Sequence, residues 1–394
     1  MTLRAKAAVV GLAEYRPMLY SQNATTLGML ADIGHRAIAD AGFEPPEVDG
    51  LITEGFTEAP FMAASTVAEY MGLRPAWAEV VDHGGATSAA MVTRAAAAIA
   101  AGLCEVVVCV TAARREKRDL SRLMAAPSAP SYKDRTPQGE FDVPYGAAGA
   151  AFAYAMILNR YRMTYGGATS VQLARIALAL RDNARANPEA LFREPLTIEE
   201  VENSPVVVDP IRRLDMSVQC AGAAAVVVAS AARSADAAQP AVSILGAGEN
   251  HTHRSITWAP ALEDTAVKAA ADRAFAMSGL RREDMDLRCI YDCYTSTVLI
   301  SLEDGGFARK GAGGGLVEER DLRWDGDFPV NTHGGQLSFG QAGIAGGMSL
   351  VTEAVRQLMG RAKGRQVRDC GFAFVNGNGG VMSAQSALVL GRER

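Results

Sequence analysis

The chain carries two copies of one pattern, and that constrains its fold more than any other feature. "DAGFEPPEVDGLI" aligns with "MSGLRREDMDLRC", which places Gly42 on Gly279 and Asp49 on Asp286 at one constant offset. "DHGGATS", ahead of a helical segment in the first half, resembles "THGGQLS" ahead of one in the second. A repeat this long implies duplication of a whole domain, not a solenoid. Around it, Ala-rich helical segments alternate with short β-branched runs. "AAVVGL", "VDGLIT" and "EVVVCVT" read as strands of the first half, with "TTLGMLADIGHRAIADAG" and "SAAMVTRAAAAIAAG" as helices. "AVSILGAG", "MDLRCIYD" and "CGFAFVNG" read as strands of the second, with "TAVKAAADRAFAMSG" and "AGGMSLVTEAVRQLMG" as helices. Runs such as Val106–Val110 are apolar on both faces, as in a sheet covered by helices on each side. The fold class is α/β.

A polar stretch containing Pro and Tyr, Arg114–Pro205, reads as an insertion over one end of the sheet, the kind of segment that serves as a lid or partner surface. The expected organisation is a first half of residues 1–113 with 206–235, an inserted loop domain of 114–205, and a second half of 236–394.

A net charge of −5 gives no general attraction to nucleic acid. The six cysteines are scattered, with no C-x-x-C pair, which fits a reduced cytoplasm. No window reaches the roughly 20 apolar residues that span a bilayer. The N-terminal apolar run turns polar too soon for a signal peptide. The expectation is a cytoplasmic protein that binds neither nucleic acid nor membrane.

Four segments then follow a recognisable order: "DPIRRLDMSVQCAGAAAVVVAS" (Asp209–Ser230), "YDCYTSTVLISLEDGGFARKGAGG", "VNTHGGQLSFGQAGIAGG" and "FAFVNGNGGVMSAQSALVL". They resemble the thiolase superfamily over nearly the whole chain, its sterol-carrier-type members in particular. The resemblance implies a thiolase fold: duplicated βαβαβαββ halves in a five-layered αβαβα arrangement with a loop-domain insertion. It also implies a coenzyme A thioester as substrate, no cofactor bound by the chain, and a homodimer.

The departures from the family pattern carry the chemistry. The family's nucleophilic Cys falls on Gly85, which can carry no acyl group. The Gly-His-Pro histidine falls on Gln341, and the histidine of His-Asp-Cys-Phe on Tyr291. The final Cys-x-Gly cysteine falls near Asn376 or Asn378. Such a chain cannot run ordinary thiolase ping-pong chemistry. Gly-rich turns, Cys293 and added tyrosines remain. This pattern resembles the thiolase-like "lipid-transfer" steroid side-chain aldolases. It implies retro-aldol cleavage of a bulky β-hydroxyacyl-CoA, steroid or aromatic, and a small OB-fold/zinc-ribbon partner forming a heterotetramer. It also implies a second tyrosine in the "SFGQAG" region, where Gln341 stands instead. Two other readings stand beside it. One is a thiolase or acyltransferase acting on a β-ketoacyl-CoA through Cys293. The other is a non-catalytic acyl-CoA-binding scaffold.

Each candidate residue has two meanings. Tyr291 is either the acid/base in place of the family's histidine or a half-buried tyrosine with its hydroxyl on water. Cys293 is an acid/base or a small hydrophobe. Tyr294 replaces a family Phe and either reacts or packs with a polar tip. Asp292 reads as the cap of the helix that follows it. His333 either moves a proton and binds an oxyanion or is a hydrogen-bonded structural histidine. His83 lines the pocket or holds its turn. Gly84, Gly85, Gly377 and Gly379 would offer backbone N–H groups to the thioester oxygen. Asn331, Gln341 and Tyr145, the last in the insertion, complete the expected substrate contacts. The basic run Arg114–Arg118 is a solvated face or a contact for the CoA phosphates. His251 and His253 have a spacing open to metals but no evident third ligand, so no metal is expected.

Overall fold

Alanine and valine dominate the central strands because both strand faces are covered. The computed structural model describes residues 3–117, 136–147 and 149–392. The first half supplies β1 (Ala7–Glu14), α1 (Thr26–Ala41), β2 (Gly50–Thr53), α2 (Ala63–Tyr70), β3 (Trp77–Val80), α3 (Thr87–Ala100) and β4 (Val106–Ala113). The insertion holds α4 (Pro137–Phe141), α5 (Ala150–Tyr165), α6 (Ser170–Arg185) and α7 (Ile198–Glu202). A small hairpin, β5 (Val206–Val208) and β6 (Ile211–Arg212), leads into β7 (Gly222–Ser230). The second half runs β8 (Val242–His251), α8 (Val267–Ser278), β9 (Leu287–Ile290), α9 (Thr295–Asp304), α10 (Gly313–Glu319), α11 (Gly335–Ser338), α12 (Ala345–Leu358), β10 (Phe372–Gly379) and β11 (Ala384–Arg392).

Among the described residues, nine strands join into one sheet in the order β3-β2-β4-β7-β1-β8-β11-β10-β9. The two halves meet edge to edge where β1 pairs with β8 through Ala8–Ser243 and Val9–Val242 alone. α1 covers β1, β4 and β7, and α8 covers β8 and β11. α3 and α12 lie between the halves, and each touches strands of both. With each half of this sheet taken as a layer, the order helix, half-sheet, helices, half-sheet, helix makes five layers. No single described helix is long and apolar enough to cross a bilayer.

The repeated residues do repeated work. Gly42 and Gly279 end α1 and α8 in the left-handed conformation, which glycine adopts without a Cβ penalty. The Asp49 carboxylate accepts the Glu105 and Val106 N–H groups at the start of β4. Asp286 accepts those of Gly371 and Phe372 at the start of β10. The second half departs from the first between β9 and α12. Its third strand shrinks to a single bridge between Arg288 and Val330. Pro329 has no N–H to extend the ladder, and Asn331 turns away at φ +47°.

The insertion is anchored by α5. Ala153, Tyr154, Ile157, Leu158 and Tyr161 recur at three- and four-residue spacing and enter the main core. Burial of Ile157 and Leu158 alone stabilises this contact by about 2 kcal/mol each. α5 thereby reaches the ends of β10 and α9, where the reactive side chains lie.

Candidate active site

β9 ends at Ile290, and Asn331 completes that end. Its Oδ1 accepts the Ile290 N–H and its Nδ2 donates to Ile290 O, each at 2.7 Å. Both ends of the Asn331 amide are therefore spent on the backbone. Tyr291 N–H donates to Asn376 O of β10 at 3.1 Å. This sends the Tyr291 side chain toward the first half, into the turn ahead of α3. A Cβ on Gly85 would lie within 3.0 Å of both Cζ and the hydroxyl oxygen of Tyr291, and of Asn378 O as well. Gly85 has no positive φ, so space and not backbone conformation demands glycine there.

Gln341 Nε2 donates to the Tyr291 hydroxyl at 3.2 Å. The Ser217 hydroxyl bonds Gln341 Oε1 and so fixes which end of the amide faces the phenol. Cys293 Sγ lies 3.9 Å from Asn378 Nδ2 and 4.0 Å from Thr297 Oγ1. Tyr291, Cys293 and Tyr294 are all buried. Burial, with Cys293 adding to it, pushes the Tyr291 phenol above its ordinary value. Burial likewise pushes the Cys293 thiol up to about 12. Both therefore rest protonated at neutral pH.

Three further residues belong to this corner. Tyr154 of α5 stacks its ring 4.5 Å from that of Tyr294. Its hydroxyl donates to Gly380 O at 3.1 Å and accepts from Asn378 Nδ2 at 3.0 Å. Asn378 is oriented by Gln385, which donates to its Oδ1 at 2.7 Å, and Gln385 accepts in turn from Asn376 at 3.0 Å. Of the two asparagines at the family's last cysteine, Asn378 is the one that faces Cys293. Gln336 is fully buried, and neither end of its amide has a hydrogen-bond partner among the described residues. Its one sequence signal was its place in "THGGQLS", opposite Ala86 of "DHGGATS". Tyr154 sits in an apolar helix and gave none.

Other candidates lie elsewhere or serve packing. Asp292 does not cap α9. Its carboxylate accepts the Gln336 and Leu337 N–H groups at 2.9 and 3.0 Å and caps α11 instead. Burial raises that carboxyl to about 7. His333 is outside the Tyr291 corner and packs against Phe339 beside the buried Glu353–Arg365 pair. Burial pushes it down to about 3, so it is neutral and carries no proton to give near pH 7. Tyr145 is 83 % exposed and also outside the corner.

Gly377 and Gly379 let β10 press on the turn ahead of α3. A Cβ at 377 would come within 2.9 Å of Ala86 Cα, and one at 379 would strike His83 O. The amides of that turn are largely used. His83 N–H bonds Thr87 Oγ1 at 2.8 Å, Gly84 N–H bonds Asp82 Oδ1 at 3.1 Å, and Ala86 N–H bonds His83 O at 3.2 Å. These glycines thus provide close approach. His83 itself lies 4.0 Å from Glu249 and beside His251, while His253 turns to Thr252. Glu249 and His83 supply the company that His251 lacked in the sequence. Arg94 already holds both Glu249 oxygens, at 2.7 and 2.9 Å, so the cluster reads as an ion pair flanked by imidazoles. Arg114 pairs with Glu116 and Glu58, and Arg115 bonds Gln219 O. Arg118 lies outside the described residues.

Residues 248–392 match the family model described as "Thiolase C-terminal domain-like". The chain is 33 % identical over 99 % of its length, and 100 % of the relative's, to 17-hydroxy-3-oxo-4-pregnene-20-carboxyl-CoA lyase of Mycobacterium tuberculosis. The chain belongs to the thiolase superfamily. Within the superfamily it is also 34 % identical to a steroid side-chain-cleaving aldolase of Thermomonospora curvata, over 91 % of both chains. The solved Ltp2-ChsH2(DUF35) aldolase superposes with a TM-score of 0.86 at 30 % identity, covering 100 % of this chain and 99 % of that one. The architecture is the thiolase fold.

Proposed function

We propose that the chain is a carbon–carbon lyase that splits a bulky β-hydroxyacyl-CoA by retro-aldol cleavage. The observation that carries this is the Tyr291 phenol standing where a Cβ at position 85 would be. That arrangement rules out an acyl-enzyme at 85 and puts a proton-carrying group in its place. The names of the relatives support a steroid-like acyl group.

Cleavage takes the proton from the β-hydroxyl while the Cα–Cβ bond breaks. Its electron pair becomes the thioester enolate, a carbonyl product leaves, and Cα receives one proton. CoA stays on the shortened acyl group. We assign the taking and returning of protons to Tyr291 and Cys293, with the Tyr154 and Tyr294 rings beside them. The competent corner has lost one proton relative to its resting state. α3 and α12 both begin beside Tyr291, since a Cβ on Gly347 would lie 2.7 Å from Gly85 O and 3.5 Å from Tyr291 Cε2. Their positive N-terminal ends favour an anion at this point. Thiolysis through Cys293 would need a neighbour to take the thiol proton, because burial raises that thiol.

The reading extends to assembly. A partner subunit is supported by the paired name of the Ltp2-ChsH2(DUF35) aldolase. An OB-fold/zinc-ribbon partner in a heterotetramer is the finer form of that proposal. A homodimer is supported by β3, whose outer edge pairs with no strand among the described residues and carries an exposed Val80. We place the protein in the cytoplasm and assign it no cofactor of its own.

The test mixes the protein, alone and with its partner, with β-hydroxyacyl- and β-ketoacyl-CoA thioesters and follows products and intact mass. Release of a ketone or aldehyde from the hydroxy compounds, without added CoA and without acylated protein, is the expected result. An acyl adduct on Cys293, or cleavage of the keto compounds that requires free CoA, would overturn the reading. Binding without turnover in every mixture would leave a scaffold.

A further inference from the structure

Native structures rarely bury an amide with both ends unbonded, and such a group calls for a reason. Gln336 is one among the described residues, at 0 % exposure. Its surroundings supply the reason. Its own backbone N–H is pinned by Asp292 at 2.9 Å, so the root of the side chain is fixed. Its amide reaches the first turn of α12, where a Cβ on Gly346 would lie 3.3 Å from Gln336 Oε1 and 3.2 Å from Gln341 Cγ. The two glutamines thus flank one glycine beside Tyr291. Gln341 is already engaged, bonded to Ser217 at one end and to Tyr291 at the other. Gln336 lies close enough to the same phenol to draw its value down slightly, as a weak donor would, but makes no hydrogen bond of normal geometry among the described residues. His333 also has no side-chain hydrogen-bond partner among the described residues, but its charged neighbours are Glu353, Arg365 and Arg356.

We propose that Gln336 is a catalytic residue whose amide N–H binds the thioester oxygen as negative charge arrives there. The proposal rests on the retro-aldol reading above. The electron pair of the breaking Cα–Cβ bond moves to the thioester as an enolate, and the Gln336 donor meets the resulting oxygen. No proton is transferred to or from the amide. A donor that is desolvated and unbonded before the substrate arrives needs no reorganisation during reaction, which is the condition for large electrostatic stabilisation.

Gln336→Met keeps the length of the side chain and removes the amide. Turnover of a β-hydroxyacyl-CoA is expected to fall about 10²–10³-fold, mainly in kcat, with KM changed only a few-fold. The thermal and urea midpoints are expected to rise, because an unbonded buried amide has been replaced by an apolar group. Gln336→Glu, which keeps the shape but repels an enolate, should lose as much turnover as the Met variant. A Met variant that is less stable than the parent would show a structural amide and overturn the proposal. A Met variant with parental turnover would overturn it as well, while leaving the lyase reading intact. No cleavage by the parent protein, with its partner present, would remove the lyase reading itself and this proposal with it.

Discussion

The two copies of the glycine turn are filled by neighbouring residues of one strand end. The turn at residues 82–88 receives Tyr291, and the turn at residues 332–338 receives Asp292. The geometry is parallel: a Cβ on Gly85 would run into the Tyr291 phenol, and one on Gly335 into the Asp292 carboxylate. The bonding is not parallel. Asp292 takes two backbone N–H groups and fixes its turn. The Tyr291 hydroxyl takes one amide N–H, from Gln341, at 3.2 Å. The flanking residues diverge in the same sense, with Ala86 in one copy and the unbonded Gln336 in the other. The two copies thus give similar clefts, one filled by a side chain held by two backbone bonds and the other by a side chain held more loosely.

Three substitutions probe that contrast. The largest effect on stability is expected from Gly335→Ala. It adds a side chain at φ +60° and drives it into Asp292, for a loss of about 3 kcal/mol in urea unfolding. Gly85→Ala comes next, at about 2 kcal/mol, since only the clash with Tyr291 and Asn378 O is involved. A double-mutant cycle with Tyr291→Ala should recover part of that loss, and equal losses in both backgrounds would break the parallel between the turns. Tyr291→Phe should cost least, below about 1 kcal/mol, because one long hydrogen bond is removed.

The order reverses for turnover. Tyr291→Phe should lower it about 10²–10⁴-fold. In the parent, the rate should still be climbing at about pH 9. Burial raises both the Tyr291 and Cys293 values, so the once-deprotonated corner grows with pH rather than falling away. A rate that levels off near neutrality would assign the base to another group.

Much of the fold was legible because its signals are local. Val106–Val110 announces a strand covered on both faces, and Gly42 with Gly279 marks two equivalent helix ends. The reduced third strand of the second half was missed because Pro329 and Asn331 act there through single backbone groups. In the site, Tyr291, Cys293 and Gln341 were visible because each stands on a motif position. Asp292 was assigned to the wrong helix because capping was read from sequence neighbours, whereas its partners lie 44 and 45 residues on. Tyr154, Asn378 and Gln336 derive their meaning from contacts between distant segments, and residue type alone does not encode that. His333 and Tyr145 have plausible chemistry, but burial beside an ion pair and exposure to solvent set them apart from the corner.

Gly85 and Tyr291 are also coupled across the duplication. They lie in different halves of the duplicated chain, yet they compete for one volume. In this backbone a side chain at 85 and a tyrosine at 291 exclude one another. A residue larger than glycine at 85 fits only when Tyr291 is exchanged as well and the Asn378 carbonyl gives way. Two positions some two hundred residues apart therefore behave as one coupled choice.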